Sequence, residues 1–209
     1  MKIDFVSDVA CPWCAVGLNA LERALERIGP GLPVELRFQP FELNPTMPAE
    51  GADTVDYLSK KYGITPEQIA RNQAAIRERG AAVGFRFGAR PRVWNTFDAH
   101  RLLHWAGLQG RQRELKHALL KAYHGDGRNP GAPDVLLELA AGVGLDVDAA
   151  RAVLADGTYA DEVRAAERHW QQAGIHSVPS VIIDDRHLIQ GGQPPEIFEQ
   201  ALRQIAAEN

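Results

Sequence analysis

The 209-residue sequence predicts an α/β protein in which both ends of the chain build one sheet and a helical domain is inserted between them. Strand patterns occur in the first and last parts of the chain, whereas the middle carries apolar residues at helical spacing, separated by glycine and proline. Neither end has enough strands for a stable sheet of its own. We therefore expect one domain made of residues 1–44 and 175–209 and an all-helical insertion domain of residues 45–174. Two separate small domains are the alternative.

The N-terminal part is predicted to form a strand, a helix and a second strand. Residues 2–7 have the length and composition of a short strand. Leu18, Leu21 and the apolar residues after them recur at helical spacing up to Gly29. Residues 34–38 then alternate between apolar and polar side chains, which is typical of a strand with one wetter face.

The middle block is predicted to contain several helices. Thr65 and Gln68 have the spacing of a capping box, with Pro66 at the first helical position, ahead of a helix that runs towards Gly80. Apolar residues at helical spacing trace three further helices. These residues are Ala99, Leu102, Leu103 and Ala106; Leu115, Ala118, Leu119 and Ala122; and Tyr159, Val163, Ala166 and Trp170.

The C-terminal part returns to strands. Residues 180–183 and 187–190 are rich in β-formers and flank an Asp-Asp turn, which predicts a hairpin. Pro194 and Pro195 then begin a last helix. The complete order is βαβ, helical block, ββα. This is the thioredoxin-like arrangement, with the insertion where its two halves join.

The composition of the chain limits the kinds of partner that we expect it to bind. The chain is 45% hydrophobic and 24% charged, with a formal net charge of -4, so we expect no nucleic acid as partner. No segment approaches the roughly 20 apolar residues that cross a bilayer, so we expect no membrane partner. Asp4 and Asp8 interrupt the apolar stretch near Met1, which disfavours a secretory signal. We expect a cytoplasmic protein.

Cys11 and Cys14, the two cysteines of the chain, form one tetrapeptide, Cys-Pro-Trp-Cys, between the first strand and the first helix. In a reducing compartment such a pair is more often catalytic or metal-binding than structural. The unpaired N–H groups and the dipole at a helix N-terminus stabilise a thiolate, and Pro12 suits the first helical turn. Cys11 is therefore the expected nucleophile. Cys14, one turn further on, is expected to resolve the mixed disulfide.

Two other interpretations of the cysteines stay open. They are two ordinary buried residues, or they bind zinc together with His100 and His104, which lie four apart on a predicted helix. The distance along the chain between the two pairs is far longer than in a usual zinc finger. We therefore expect no metal.

Five further strings accompany the tetrapeptide in a fixed order. They are Asp4-Phe5-Val6-Ser7-Asp8, Phe41-Glu42-Leu43-Asn44-Pro45, Asn95-Thr96-Phe97-Asp98-Ala99-His100-Arg101, Val178-Pro179 and Gly192-Gln193-Pro194. Together they resemble the DsbA-like thiol-disulfide oxidoreductases of the FrnE type, which are related to 2-hydroxychromene-2-carboxylate isomerases and kappa-class glutathione transferases. The resemblance spans nearly the whole chain and implies a thioredoxin fold with an inserted helical domain that covers the redox pair.

The resemblance also implies roles for individual residues. Pro179 would be a cis-proline facing the tetrapeptide, and the backbone of Val178 would pair with bound peptide or glutathione. Asn44 and Gln193, in loops beside the active cysteine, would hold a glutathione-like backbone. With Pro12 and Trp13 these complete the expected substrate site.

Four residues outside the tetrapeptide are further candidates. His100 is a candidate for contacting sulfur or substrate from the helical domain, with packing as the alternative. Asn95 and Arg101 are candidates for lining the same face. Asp4, on the strand before the cysteines, is a candidate proton relay, and an acid reaching solvent is the alternative.

These observations predict a dithiol-disulfide oxidoreductase or isomerase acting on protein or low-molecular-weight thiols and disulfides. No bound cofactor is expected; glutathione is a candidate co-substrate, glutathione or thioredoxin are candidate recycling partners, and a homodimer is a candidate assembly. The alternative is a glutathione-dependent isomerase or transferase acting on a small aromatic molecule. A non-catalytic chaperone that uses an apolar groove of the helical block is a third hypothesis.

Overall fold

The structure, a computed structural model, describes residues 1–208. Its strands are β1 (Lys2–Ser7), β2 (Glu35–Pro40), β3 (Ala52–Asp53), β4 (Arg92–Val93), β5 (Ser180–Ile183) and β6 (His187–Gln190). Its α-helices are α1 (Pro12–Ile28), α2 (Thr54–Tyr62), α3 (Pro66–Ala82), α4 (Phe97–Leu108), α5 (Gln112–Leu120), α6 (Pro133–Gly142), α7 (Val147–Ala155), α8 (Ala160–Gln172) and α9 (Pro195–Glu208). A π-helical turn, Lys121–Gly125, continues α5. None of the helices within residues 1–208 has the length and apolar character needed to span a bilayer.

One four-stranded sheet joins the two ends of the chain, as the sequence predicts. Its strand order is β2-β1-β5-β6. β1 pairs in parallel with β2, placing Phe5 beside Phe38, and antiparallel with β5, placing Phe5 beside Val181. The β5–β6 hairpin turns through Asp184 and Asp185, whose φ angles of 49° and 56° are left-handed. Asp and Asn tolerate this conformation better than most residues, which explains the Asp-Asp turn.

The period of two along β1 decides which side chains enter the main core. Ile3 and Phe5 are fully buried and pack in one cluster with residues of α1 and α9. Val6 points to the opposite face and packs against Trp170 of α8. The sheet therefore lies between the α1–α9 layer and the helical block.

The middle of the chain is helical, with one exception to the all-helical prediction. β3 and β4 form a two-residue antiparallel ladder that pairs Ala52 with Val93. The predicted capping box is present: Thr65 accepts from the N–H of Gln68, and the Gln68 side chain accepts from the N–H of Thr65. α3 ends at Ala82, just beyond the predicted Gly80.

The helical block has a core of its own, but part of that core comes from the N-terminal segment. Val9 and Ala10, just before the redox pair, pack in the cluster formed by α4, α5, α6 and α7. The fold class, a thioredoxin-like sheet domain with an inserted helical region, is confirmed. The exact division at residues 44 and 175 stays a prediction.

Candidate active site

The redox pair lies where β1 passes into α1. Cys11 is the N-cap residue with extended backbone, and Pro12 begins the helix. Because Pro12 lacks an N–H, it gives up no hydrogen bond in the first turn. The N–H of Cys14 turns back to the carbonyl of Cys11 at 3.1 Å. The positive end of the α1 dipole therefore points at the Cys11 sulfur, as the sequence predicts.

A second loop faces this helix start. The Val178–Pro179 peptide bond is cis, as the resemblance implies. The Sγ of Cys11 donates to the carbonyl of Val178 over 3.5 Å. A Cβ on Gly17 would lie 3.0 Å from Cγ of Pro179, so any larger residue would require the proline loop to shift away from α1 by a few tenths of an ångström.

The two thiols differ in environment. Both are free, and Cys14 is fully buried whereas Cys11 keeps a small exposed fraction. Burial raises the pKa of Cys14 well above its ordinary value, and a hydrogen bond to Cys11 raises it further. Cys14 is therefore held as a protonated thiol behind Cys11, which suits a resolving residue and not a first nucleophile.

Asp8 is the buried carboxylate nearest the pair along the chain. It accepts from the Thr96 hydroxyl at 2.8 Å, from the His100 Nε2 at 3.2 Å and from the N–H groups of Ala10 and Leu43. Burial by itself would raise the pKa of Asp8, but the bond to His100 and the two N–H groups outweigh it, so the pKa lies below its ordinary value. Asp8 is thus an anion that connects the segment between β1 and α1, residues 8–11, here called the cysteine loop, to the helical block.

His124, on the π-helical turn, supports the same loop from the other side. Its Nε2 donates to the carbonyl of Val9 at 2.8 Å, and its Nδ1 accepts from Arg90 at 3.1 Å. Burial, followed by the charge of Arg90, lowers the pKa of His124 well below its ordinary value. His124 is therefore neutral, with its tautomer set by these two partners.

A cavity of about 630 Å³, here called the front cavity, opens in front of Cys11. Its lining is mostly apolar and includes Trp13 and Val178 as well as α2 and α3 side chains. Lys61 and Arg90 supply its cations, and no carboxylate of the described residues lines it. Lys61 donates to Asn44 Oδ1 at 2.7 Å, with its Nζ about 5.5 Å from the centroid of the Tyr57 ring. The front cavity is therefore apolar in its walls and positive at its rim.

A second cleft of about 620 Å³, here called the rear cleft, shares no lining residue with the front cavity. It lies between β2, α4 and α5 and is lined by Gln39, His100, His104, Gln112, Arg113 and Lys116, among others. Lys116 is 1% exposed, one of the largest fully buried side chains of the structure. Burial lowers its pKa, while the Cys14, Asp8 and Cys11 groups nearby act in the opposite direction.

Not every predicted substrate residue lies in the front cavity. Pro12, Trp13, Asn44 and Val178 line it. The side-chain oxygen of Asn44 accepts hydrogen bonds from Tyr57 and Lys61, so Asn44 positions the Lys61 ammonium at the rim of the front cavity.

Gln193 and His100 lie elsewhere. Gln193 borders a shallow hollow beside Trp13 and Val178, with its amide donating to the carbonyl of Gln190. His100 is 3% exposed, bonded to Asp8 and lines the rear cleft; its contact with sulfur or substrate stays a prediction.

The other expected residues of the active face are structural. Asn95 bonds to the backbone of Met47 and Phe97. Arg101 is buried and donates to carbonyls at the end of α7 and just after it, among them those of Leu154 and Thr158. The proton-relay role of Asp4 is not supported either, because its carboxylate accepts from Gln39 and pairs with Lys2, away from the pair.

The histidines of the zinc alternative are also occupied elsewhere. The His104 ring stacks on Tyr159 at a centroid distance of 5.0 Å, and His100 holds Asp8. Within residues 1–208 no group of three or more His, Cys, Asp or Glu side chains is arranged to hold a metal ion.

Asp8, His124 and Lys116 are not among the residues that the sequence predicts for the site. Asp8 had a signal, its place directly after a strand and before the cysteines, but there an acid is also a common turn residue. Lys116 and His124 had none, because their burial depends on how α5 packs against the cysteine loop.

A dithiol tetrapeptide at a helix N-terminus, facing a cis-proline in a βαβ–ββα sheet, defines the class of thioredoxin-fold dithiol proteins. Within that class, the chain belongs to the DSBA-like thioredoxin domain family, which matches residues 2–203.

Individual relatives agree with this placement. The chain is 32% identical over 204 residues to the uncharacterized protein YwbO of Bacillus subtilis (strain 168), covering 97% of this chain and 96% of YwbO. The crystal structure of a probable DsbA oxidoreductase from Streptomyces coelicolor superposes with a TM-score of 0.92 at 39% identity, covering 100% of this chain and 91% of that one. The cytosolic disulfide reductase DsbM from Pseudomonas aeruginosa, solved with GSH, shares the fold with a TM-score of 0.67 at 18% identity, covering 99% and 100% of the two chains.

Proposed function

We propose that this chain is a thiol-disulfide oxidoreductase in which Cys11 attacks and Cys14 resolves. The observation that carries the proposal is the difference between the two thiols. Cys11 lines the front cavity at the α1 N-terminus, whereas Cys14 lies fully buried behind it. This is the asymmetry that a two-step exchange requires.

The first step is an attack on a substrate disulfide held in the front cavity. The Cys11 thiolate bonds to one substrate sulfur, and the other sulfur leaves as a thiolate that takes a proton from water. The N-terminus of α1 stabilises the attacking anion. The cis-proline loop fixes the direction of attack, since the Val178 carbonyl lies 3.5 Å from the Cys11 sulfur.

In the second step Cys14 loses its proton and attacks the Cys11 sulfur. The Cys11–substrate bond breaks, the second substrate thiol leaves, and a Cys11–Cys14 disulfide forms. The substrate gains two electrons and two protons, which the dithiol loses. Run backwards, the same steps oxidise a dithiol substrate, and the potential of the pair relative to its compartment selects the direction.

The front cavity suits a small anionic thiol or disulfide, with glutathione as the co-substrate to test. Its volume of about 630 Å³ falls in the range of small-molecule sites. Lys61 and Arg90 would pair with substrate carboxylates, and the N–H and C=O of Val178 would pair with its peptide backbone. The hollow beside Trp13 and Gln193 leaves room for a longer peptide. We place this reaction in the cytoplasm, where thiols are kept reduced.

An equilibrium redox titration in glutathione buffers, read by the mass of alkylated protein, tests the proposal. We expect a reversible two-electron transition that is absent in Cys11→Ser and replaced by a stable glutathione adduct in Cys14→Ser. If both thiols of the native chain are alkylated at every buffer ratio, the oxidoreductase proposal is wrong. Turnover of an aromatic substrate that needs glutathione and survives Cys14→Ser would instead support the isomerase or transferase.

A further inference from the structure

The rear cleft contains a buried cation without a hydrogen-bond partner in the protein. Lys116, on α5, lines the cleft and is 1% exposed. Within residues 1–208 its amine takes part in no hydrogen bond and in no ion pair of 4.0 Å or less. A lysine is rarely buried without such partners, because an unpaired buried charge is costly. The donors of Lys116 are therefore free to bind a ligand that enters the cleft.

The other charged side chains of the rear cleft are already paired. Each arginine or glutamate that lines it forms an ion pair with a neighbour. The pairs are Arg37–Glu35, Arg113–Glu22 and Arg111–Glu114, at nitrogen–oxygen distances of 2.7, 2.6 and 3.2 Å. Since each pair is neutral, a protonated Lys116 gives the cleft one uncompensated positive charge.

Asp8 is the buried anion that acts on Lys116 without bonding to it. Burial lowers the pKa of Lys116, and the charge of Asp8 is among those that act in the opposite direction. The Asp8 carboxylate accepts from Thr96, His100 and two backbone N–H groups, and it does not line the rear cleft. Asp8 therefore leaves the hydrogen-bonding positions of the amine to a ligand.

The walls of the rear cleft suit an apolar body. Leu36, Leu103 and Ala166 line it, and its volume of about 620 Å³ falls in the range of small-molecule sites. The Gln112 amide is bonded to the N–H and the carbonyl of Phe38, at 3.1 Å each, so it does not compete for a polar ligand. A phosphate is bound best by several donors or by an arginine fork, whereas one ammonium suits one carboxylate.

We propose that the rear cleft is a second small-molecule site that binds a monocarboxylate with an apolar or aromatic body. The carboxylate accepts hydrogen bonds from the Lys116 ammonium, and the body packs on the walls formed by β2, α4 and α8. The site is separate from the front cavity, since the two share no lining residue and neither cysteine lines the rear cleft. The inference therefore does not rest on the proposed function.

Isothermal titration calorimetry of the full chain with two matched probes tests the site. The probes are 1-naphthaleneacetate and 1-naphthaleneacetamide, which share an aromatic body and differ in the charge of the polar group. We expect the native protein to bind the carboxylate at least about tenfold more tightly than the amide, as one hydrogen bond between charged groups would give. In NMR spectra, the amide signals that the carboxylate shifts should belong to β2, α4 and α5.

Four variants locate the site. Lys116→Met should bind the carboxylate no more tightly than the amide. Lys121→Met, at an exposed lysine just beyond α5, is the matched control and should keep the native preference. Lys61→Met removes a cation of the front cavity and should keep it as well. Ala166→Leu leaves Lys116 in place but narrows the rear cleft, so both probes should bind at least about tenfold more weakly.

Several outcomes would overturn the inference. They are equal affinity of the native protein for the two probes, a native preference in Lys116→Met, and loss of the preference in Lys61→Met alone, which would place the carboxylate in the front cavity. Inorganic phosphate that binds as tightly as the carboxylate would exclude the proposed ligand class. Thermal unfolding controls for misfolding of Lys116→Met, and Ala166→Leu tests the same cleft with the lysine intact. A normal redox titration without probe binding would leave the proposed function standing.

Discussion

The front cavity and the rear cleft have nearly the same volume, about 630 and 620 Å³, but opposite character. The front cavity has apolar walls and a cationic rim around Cys11. The rear cleft is lined by apolar residues and by charged and polar side chains of both signs from β2, α4 and α5, among them Glu35, Arg113, Glu114 and Lys116. Cys11 lines the front cavity, whereas neither cysteine lines the rear cleft. The predictions that follow test this division, beginning with the largest expected effect.

The cysteines should lose activity in different ways. Cys11→Ser removes the nucleophile of the front cavity, so we expect turnover with oxidised glutathione to fall at least about a thousandfold. Cys14→Ser keeps the first step and should stop at a one-to-one mixed disulfide. Coupled turnover assays and intact mass measure both. Equal residual turnover in the two variants would contradict the division of roles.

Asp8→Asn should weaken the connection between the cysteine loop and the helical block. Four donors now face the Asp8 carboxylate, and an amide would set an N–H group or a poorer acceptor against at least one of them. We expect the free energy of unfolding at pH 7 to fall by about 2–4 kcal/mol. Urea denaturation measures it, with the exposed Asp185→Asn as control. The folded pKa of Asp8 is lowered, so its contribution is present above the unfolded pKa of about 3.9 and is lost as pH falls through the lower folded pKa. The difference between the native protein and Asp8→Asn should therefore shrink below about pH 4.

Lys116→Met should stabilise the protein. Methionine fills a similar volume without an amine to desolvate, so we expect a gain of about 1–3 kcal/mol at pH 7 by urea denaturation. The folded pKa of Lys116 is lowered, so the folded state binds this proton less readily than the unfolded chain does. Lys116 therefore lowers the stability as pH falls from the unfolded pKa of about 10.4 to the folded pKa, and this cost is absent above pH 10.4. The advantage of the variant should therefore shrink towards pH 10. A loss of stability in this variant would show that the ammonium holds the fold together.

Lys61→Met tests the charge of the front cavity and should have the smallest effect. Removing one of its two cations should raise the KM for oxidised glutathione about fivefold and leave kcat within twofold, about 1 kcal/mol of binding. Lys60→Met, its exposed neighbour in the sequence, is the matched control. An unchanged KM in Lys61→Met would exclude charge recognition by this residue.

The front half of the site could be predicted from the sequence and the rear half could not. The position of Cys11 follows from the neighbouring residues alone, because a strand followed by a helix that begins at Pro12 places the Cys11 sulfur at the helix N-terminus. Lys116 carries no such signal, because a lysine in an amphipathic helix ordinarily faces solvent, and only the packing of α5 against the cysteine loop buries it. The position of His100 on the rear cleft could not be predicted for the same reason, since spacing fixes a helical face but not what that face packs against.

The secondary structure, too, could be predicted only where its signal lies in neighbouring residues. The β3–β4 ladder has two residues per strand, too short to show a period of two. The capping box of α3 was predicted because its signal is contained in four consecutive residues.

β1, at the centre of the sheet, has consequences for synthesis of the chain. Its neighbour β5 and the Val178 carbonyl that faces Cys11 belong to residues made late. At about 5–20 residues per second, the ribosome adds the intervening segment in roughly 10–30 seconds. During that interval the nascent chain carries two thiols without their covering loop. The redox pair is thus made long before the strand and the loop that complete its site.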